Sequence, residues 1–279
     1  MKRMMKPLVA ACIVAFAFSA CQKDATETVQ KNDVSTETLS KIKALGFDET
    51  DARKVDRGYL VEGDIILTDE NLNKPAISPY LNVANEEQYR TTNLVSVGGG
   101  RTITVTCSGT LTPVYVTATK AMIDRYNAIA SPTVTNGTLI KFQYVTSGPA
   151  DVNVIGFNEG PSGGFITLGS SGFPTNGNPY DEIQMNTNVQ AYGTNPNVDY
   201  LTSVLQHEMG HCIGFRHTDY FSRSSCGKRK QNEGTAGVGA ILIPGTPSTA
   251  DPNSFMLACS NGGNRTFNAN DLVAMNYLY

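Results

Sequence analysis

The chain has 279 residues, with 22 Lys and Arg against 25 Asp and Glu, for a formal net charge of −3. So small and slightly acidic a balance offers no basis for nucleic-acid binding, which draws on a dense positive surface. Charged residues make up only 17% and Gly alone numbers 26, a balance that suits an exported, loop-rich protein.

Lys2, Arg3 and Lys6 precede an apolar run over 8–20 that is too short to span a bilayer comfortably, so 1–21 reads as an export signal. It ends Phe18-Ser19-Ala20-Cys21, which resembles a bacterial lipobox with Phe18 where Leu is commonest. Cys21 is then the lipid-anchored first residue of an exported bacterial lipoprotein, at the outer membrane or cell surface. The alternative is plain secretion after cleavage near Ala20. Residues 22–40 are rich in Thr, Glu, Lys and Asp and read as a flexible tether. A short helix over 39–47 is expected to stop at Gly46. Residues 41–100 form an N-terminal segment, and 101–279 suit one domain. Within that domain the spacing predicts a helix over 113–130, with Val116, Met122, Ile123, Tyr126 and Ile129 on its buried face. Strands are expected over 139–145, 151–157 and 182–187, and a closing helix over 267–279 capped by Asn268 or Asn270. The stretch 222–251 is a long loop with short strands, and loops of that length are more often functional than decorative.

The three histidines of the chain fall in one run, His207-Glu208-Met209-Gly210-His211-Cys212-Ile213-Gly214-Phe215-Arg216-His217. Val198, Leu201, Leu205, Met209 and Ile213 recur at helical spacing, so 198–213 reads as a helix. His207 and His211 are then one turn apart on one face and reach one metal at roughly 2.0–2.1 Å. A continued helix would carry His217 about 15 Å along the axis from His207. Gly214 supplies the turn that brings it back. Three neutral imidazoles leave one position of a zinc ion open, which marks a catalytic site. A surface helix that merely carries histidines has no need of Gly214 and His217 at these offsets.

The run HExxHxxGxxH resembles the metzincin signature, and 207–219 (HEMGHCIGFRHTD) most resembles the bacterial dual-action HEIGH metallopeptidases, with Met209 in place of Ile. The resemblance spans 101–279 and implies a mixed α+β metzincin-like fold. Long helices lie above a twisted sheet, followed by an active-site helix, a Met-turn and a C-terminal helix. It implies a zinc endopeptidase acting on proteins or peptides as a monomer, with Zn2+ held by His207, His211 and His217. Glu208 is its general base, and Met256 of Ser254-Phe255-Met256 is an apolar floor beneath the metal. The edge strand that pairs with substrate is placed at 165–168. Astacins carry a Tyr two residues after the Met-turn Met; Ala258 stands there, so any oxyanion helper lies elsewhere.

Val61-Glu62-Gly63-Asp64 resembles the astacin pro-segment motif, with Val61 for Phe. The resemblance makes Asp64 a latency switch that fills the open zinc position, the alternative being a plain Gly-Asp turn. Activation then requires a cut after Asp64, for which 85–100 offers polar residues and three consecutive glycines. The mature chain keeps Cys107, Cys212, Cys226 and Cys259. An even number suggests two disulfides, with Cys226–Cys259 the preferred pair because it ties the loop after the third ligand to the Met-turn; buried free thiols are the alternative. Two other functions stay open: a glycopeptidase that requires a glycosylated substrate, and a non-catalytic surface-binding lipoprotein.

Overall fold

A computed structural model describes residues 34–73, 88–108, 110–130, 138–162, 164–227, 233, 239–247 and 251–279. The export signal, Cys21 and residues 22–33 of the expected tether lie outside them. No helix among the described residues is long and apolar enough to cross a membrane.

The N-terminal portion begins with α1 (Thr36–Ala44), where the Ser35 side chain accepts from Thr38 N–H as the N-cap. This corrects the tether boundary of 40. Val34, Leu39, Ile42 and Leu45 all pack into one cluster, and that burial outweighs the polar composition between them. The strands β1 (Arg53–Val55), β2 (Gly58–Val61) and β3 (Ile65–Leu67) follow as an antiparallel meander, then α2 (Asp69–Leu72). Ile42, Leu45, Phe47, Val61, Ile65, Leu67 and Leu72 form a small core of their own, joined among the described residues by Phe173 from later in the chain.

Residues 88–95 behave differently. The strand β4 (Tyr89–Arg90) pairs with a strand from the 222–251 region, Ile241–Leu242. Thr91 N–H donates to Gly214 O, and Gln88, Tyr89 and Thr91 are fully buried. The segment 41–100 thus divides between two packing partners. The exposure expected over 85–100 holds at Thr92, Asn93, Ser96 and Gly98 to Gly100, whereas 88–91 is held by backbone bonds to Gly214, Arg216 and Ile243.

The main sheet is built from β5 (Arg101–Cys107), β6 (Ile140–Tyr144), β7 (Val152–Phe157), β8 (Gly169–Ser170) and β9 (Glu182–Asn186), ordered β6-β5-β7-β9-β8. All pairings are parallel except β8 with β9. The edge strand therefore sits just after the expected 165–168. Phe165 instead closes a tight turn with Ser162, and the Asn186 side chain donates to Thr167 O and takes that backbone out of the ladder. Between the first strands runs α3 (Pro113–Asn127), with proline in its first turn. It buries Tyr115, Ala118, Thr119, Met122, Ile123 and Tyr126, whereas Val116 is only half-buried, a small rotation from the expected face. After the short α4 (Val189–Tyr192) comes α5 (Val198–Ile213), with the bounds the spacing predicts and Asn197 as its cap. Leu201, Leu205, Met209 and Ile213 on α5 are fully buried. Each contributes about 1.5–3 kcal/mol, which makes the helix a fixed platform. The remaining elements are β10 (Ile241–Leu242) and α6 (Ala269–Leu278), the latter started by an Asn268–Asp271 capping box.

Candidate metal centre

His207 and His211 project from one face of α5. Gly214 ends that helix at φ 115, with its N–H donating to Gly210 O and His211 O. A side chain there would meet Leu94 at 2.7 Å and Asn93 O at 3.0 Å, so glycine is required by space as well as by conformation. The chain turns back and brings His217 beside the other two. The three Nε2 atoms lie 3.1 Å (207–211), 3.2 Å (211–217) and 3.3 Å (207–217) apart.

These are not hydrogen bonds among imidazoles, because the other ring nitrogens are already committed. His207 Nδ1 is 3.0 Å from Phe255 O, His211 Nδ1 is 2.9 Å from Phe215 O, and His217 Nδ1 is 2.8 Å from Glu233 Oε1. Each acceptor fixes the proton on Nδ1 and turns a bare Nε2 lone pair toward a common point. Converging lone pairs repel unless a cation sits between them, and three imidazoles suit zinc. Burial, followed by the two neighbouring imidazoles, holds His211 well below its ordinary value and keeps it neutral, the form that ligates. For His217 burial also lowers the value, but the Asp64 and Glu233 carboxylates on either side more than reverse it.

Asp64 enters the same group. Its Oδ2 is 3.1 Å from His217 Nε2 and 3.6 Å from His207 Nε2, the fourth atom of the cluster. Backbone pairing holds it there: Ser171 N–H donates to Asp64 O at 2.9 Å, and Ile66 N–H to Ser171 O at 2.7 Å. The N-terminal meander is thus clipped to the chain just beyond edge strand β8.

Glu208 is buried, with the Ser171 hydroxyl 2.8 Å from its Oε2 and 2.9 Å from its own carbonyl. Burial first, and then the Asp64 carboxylate, push its carboxyl well above the usual range. His207 and Glu208 line one cleft together with residues 167–169, which lead into edge strand β8, and with Phe255, Leu257 and Ala258.

The Met-turn supports the centre from beneath. Met256 is fully buried, and a methyl group on Gly210 would lie 2.4 Å from its sulfur. The glycine between the two helical histidines is therefore needed for the Met-turn to approach. Buried Asp271 holds the turn in place: Oδ1 accepts from Gln88 Nε2 (2.6 Å) and Ser254 Oγ (2.9 Å), and Oδ2 from Phe255 N–H (3.2 Å) and Asn268 N–H (2.9 Å). Burial raises the Asp271 carboxyl to about 6. A carboxyl that binds its proton more tightly when folded favours folding most below the unfolded value, and that contribution is lost as pH climbs through the folded value. Between pH 4 and 6.5 the folded state should lose about 2 kcal/mol from this group. Urea midpoints across that range should fall more steeply for the native chain than for Asp271→Asn, and parallel profiles would rule the assignment out.

Cys226 and Cys259 form the disulfide between the post-helix loop and the Met-turn region. The expected second disulfide is not formed: Cys107 and Cys212 are free thiols. Cys107 faces Thr119 on α3 at 3.1 Å, while Cys212 looks from α5 toward Glu182 O, so each points at a different element.

Several contributors were not evident from sequence spacing. Ser171 touches the candidate base, Glu233 orients His217, and Arg216, Arg223 and Glu62 surround Glu233. Arg216, inside the motif itself, carries a signal only in being a charged residue at a position that must be buried.

A family model described as the dual-action HEIGH metallo-peptidase matches residues 59–279. The chain belongs to the dual-action HEIGH metallo-peptidase family. As a HEIGH peptidase it is a zinc metallopeptidase with a mixed α/β fold. Among solved structures it resembles myroilysin at 16% identity, covering 68% of this chain and 98% of that one, with a TM-score of 0.43. A second myroilysin crystal structure shows 15% identity, coverage of 64% and 84%, and a TM-score of 0.38. The high choriolytic enzyme 1, a hatching-enzyme zinc protease of the medaka fish Oryzias latipes, shows 12% identity, coverage of 66% and 92%, and a TM-score of 0.33. No curated protein matches the chain. The family match begins inside β2, so it takes in Glu62 and Asp64 as well as the histidine run.

Proposed function

We propose that this HEIGH peptidase is a zinc-dependent endopeptidase for extracellular proteins, kept latent by its own N-terminal segment. The observation that carries the reading is the set of three Nε2 lone pairs turned to one point beside a buried glutamate. His207, His211 and His217 would hold the metal. A bound zinc supplies an acidified water and a Lewis acid for the scissile carbonyl. Glu208 takes the proton of the attacking water on its carboxylate and returns it to the departing amine. Ser171 holds Oε2 of that carboxylate, which leaves Oε1 as the oxygen that moves the proton. Phe255 O, Phe215 O and Glu233 keep the imidazoles in the tautomer that ligates. Met256 excludes water beneath them. Cleavage of casein as readily as of a glycosylated mucin is expected; cleavage of the mucin alone would favour the glycopeptidase reading, and cleavage of neither by the zinc-loaded, unlatched protein the binding-protein reading.

The latency reading rests on Asp64 standing against His217 and His207 in the place substrate must use. The small core of the 34–73 segment lets it leave as a unit, while residues 88–95 stay with the catalytic body.

The export signal and lipobox-like Cys21 support a lipoprotein anchored at the bacterial outer membrane or cell surface. Cys21→Ser should move the protein from the membrane fraction to the soluble one, because each buried methylene of a lipid chain contributes roughly 0.8 kcal/mol to anchoring. Unchanged fractionation would favour plain secretion. A cut after residue 73 would then release and activate the catalytic domain in one event.

A further inference from the structure

A cation lines the cleft without an acid to balance it. Arg265 stands with Ser203, Val204, Leu257, Ala258 and Ser260 in the cleft that also carries His207 and Glu208. Its backbone is tied to α5, where Arg265 N–H donates to Ser203 Oγ at 2.8 Å. Ser203 precedes His207 by one turn on the same face of the helix, about 6 Å along the axis. From that anchor the guanidinium reaches the segment after the Met-turn, and its Nη1 lies 3.4 Å from Cys259 O.

That long contact is the guanidinium's one hydrogen bond among the described residues, and no carboxylate among them forms an ion pair with it. The other arginines beside the centre are paired, Arg216 with Glu62 and Glu233, and Arg223 with Glu233. Asp219 and Asp271 are the acids that act on Arg265, and both are engaged elsewhere. Asp219 accepts from Ala258 N–H at 2.9 Å and from Ser225 N–H at 2.8 Å, and Asp271 accepts from the four donors that hold the Met-turn. Burial therefore outweighs both and holds the guanidinium below its ordinary value. Ser203, Val204, Leu257, Ala258 and Ser260 around it carry no charge. A half-buried guanidinium is costly to leave with unused donors, and its planar fork matches a carboxylate. The wall it stands against is fixed in advance, since Cys259 is bonded to Cys226 and Ala258 N–H to Asp219.

We propose that Arg265 makes this part of the cleft a subsite for an acidic side chain, so that the enzyme selects substrates with a glutamate or aspartate beside the bond it cuts. The proposal rests on the peptidase reading and is independent of latency. Arg265 is a specificity-determining residue on this account and takes no part in proton transfer.

The test uses the full chain carrying Asp64→Ala, loaded with zinc, and a peptide library blocked at both ends. Each position is scanned with Glu and matched Gln, so that the pair differs only in a side-chain carboxylate. How often the N-terminal segment opens cancels in the ratio of kcat/KM for the two. At a position beside the cleaved bond that ratio, Glu over Gln, should reach ~10–100, the scale of a charge-assisted hydrogen bond. Adding Arg265→Gln should bring it to about 1, and Arg265→Lys should leave it in between, since lysine keeps the charge but not the fork. Arg265→Glu should turn the same position toward Lys. If Arg265→Gln fails to fold, the lysine variant carries the comparison. A ratio near 1 at every position, or one that no Arg265 variant changes, would overturn the subsite while leaving the peptidase reading intact. A zinc-loaded chain that cleaves nothing in the library would overturn that reading, and the subsite with it.

Discussion

Replacing Glu208 with alanine should abolish turnover while leaving the fold and the zinc in place. The expected loss is ~10²–10⁴-fold, the usual contribution of a positioned general base. The zinc should stay because Glu208 accepts from Ser171 and not from any imidazole, and because the Nδ1 partners of the three histidines lie on other residues. Glu208→Gln makes the sharper comparison, since it keeps the shape against Gly169, whose added methyl would stand 3.0 Å from the glutamate side chain. Kinetics on one unlatched background, with zinc content measured on the same samples, separates loss of the base from loss of the metal. A variant that keeps half the rate would contradict the assigned chemistry.

Replacing Asp64 with alanine should have the opposite sign. In the full chain its carboxylate is the group from the N-terminal segment that stands with all three histidines. Other contacts also hold the segment, among them Arg53 to Glu159, Arg57 to Asp181 at 2.7 Å and Arg223 to Glu62 O. The segment should therefore stay docked most of the time after the substitution. A charge-assisted contact contributes about 1.5–3 kcal/mol, so the open population, and with it cleavage of a short peptide, should rise roughly 10–150-fold. Equal rates for the native chain, Asp64→Ala and a protein cut after residue 73 would mean that Gly63-Asp64 is only a turn.

The legible parts of the site were those written in regular spacing. His207, His211, Gly214 and His217 are separated by offsets that only a helix and a glycine turn satisfy, so the bounds of α5 and the convergence of three imidazoles could be read directly. The Cys226–Cys259 disulfide was a preference among three possible pairings that the sequence did not decide, and the folded chain forms it. What escaped depends on contacts between distant segments. Glu233 stands in a long loop with no periodic neighbour, and only the folded chain brings it 2.8 Å from His217 Nδ1. The partners of Arg216, namely Glu62, Glu233 and three aromatic rings, come from distant segments and no spacing announces them. The edge strand shifted to Gly169–Ser170 because the Asn186 side chain competes for the backbone before it. The helix expected over 39–47 starts earlier, at Thr36, because Ser35 caps it and Val34 joins the same small local core, which the polar composition of that stretch concealed.

The central claim is that three imidazoles, oriented by Phe255 O, Phe215 O and Glu233, hold one zinc. Metal analysis of the purified full chain tests it most directly, paired with peptide cleavage by the Asp64→Ala chain before and after chelation. The account predicts about one zinc per chain, activity lost with the metal and regained with added zinc, and a lower zinc content in His217→Ala. A metal-free chain that still cleaves peptides would contradict it.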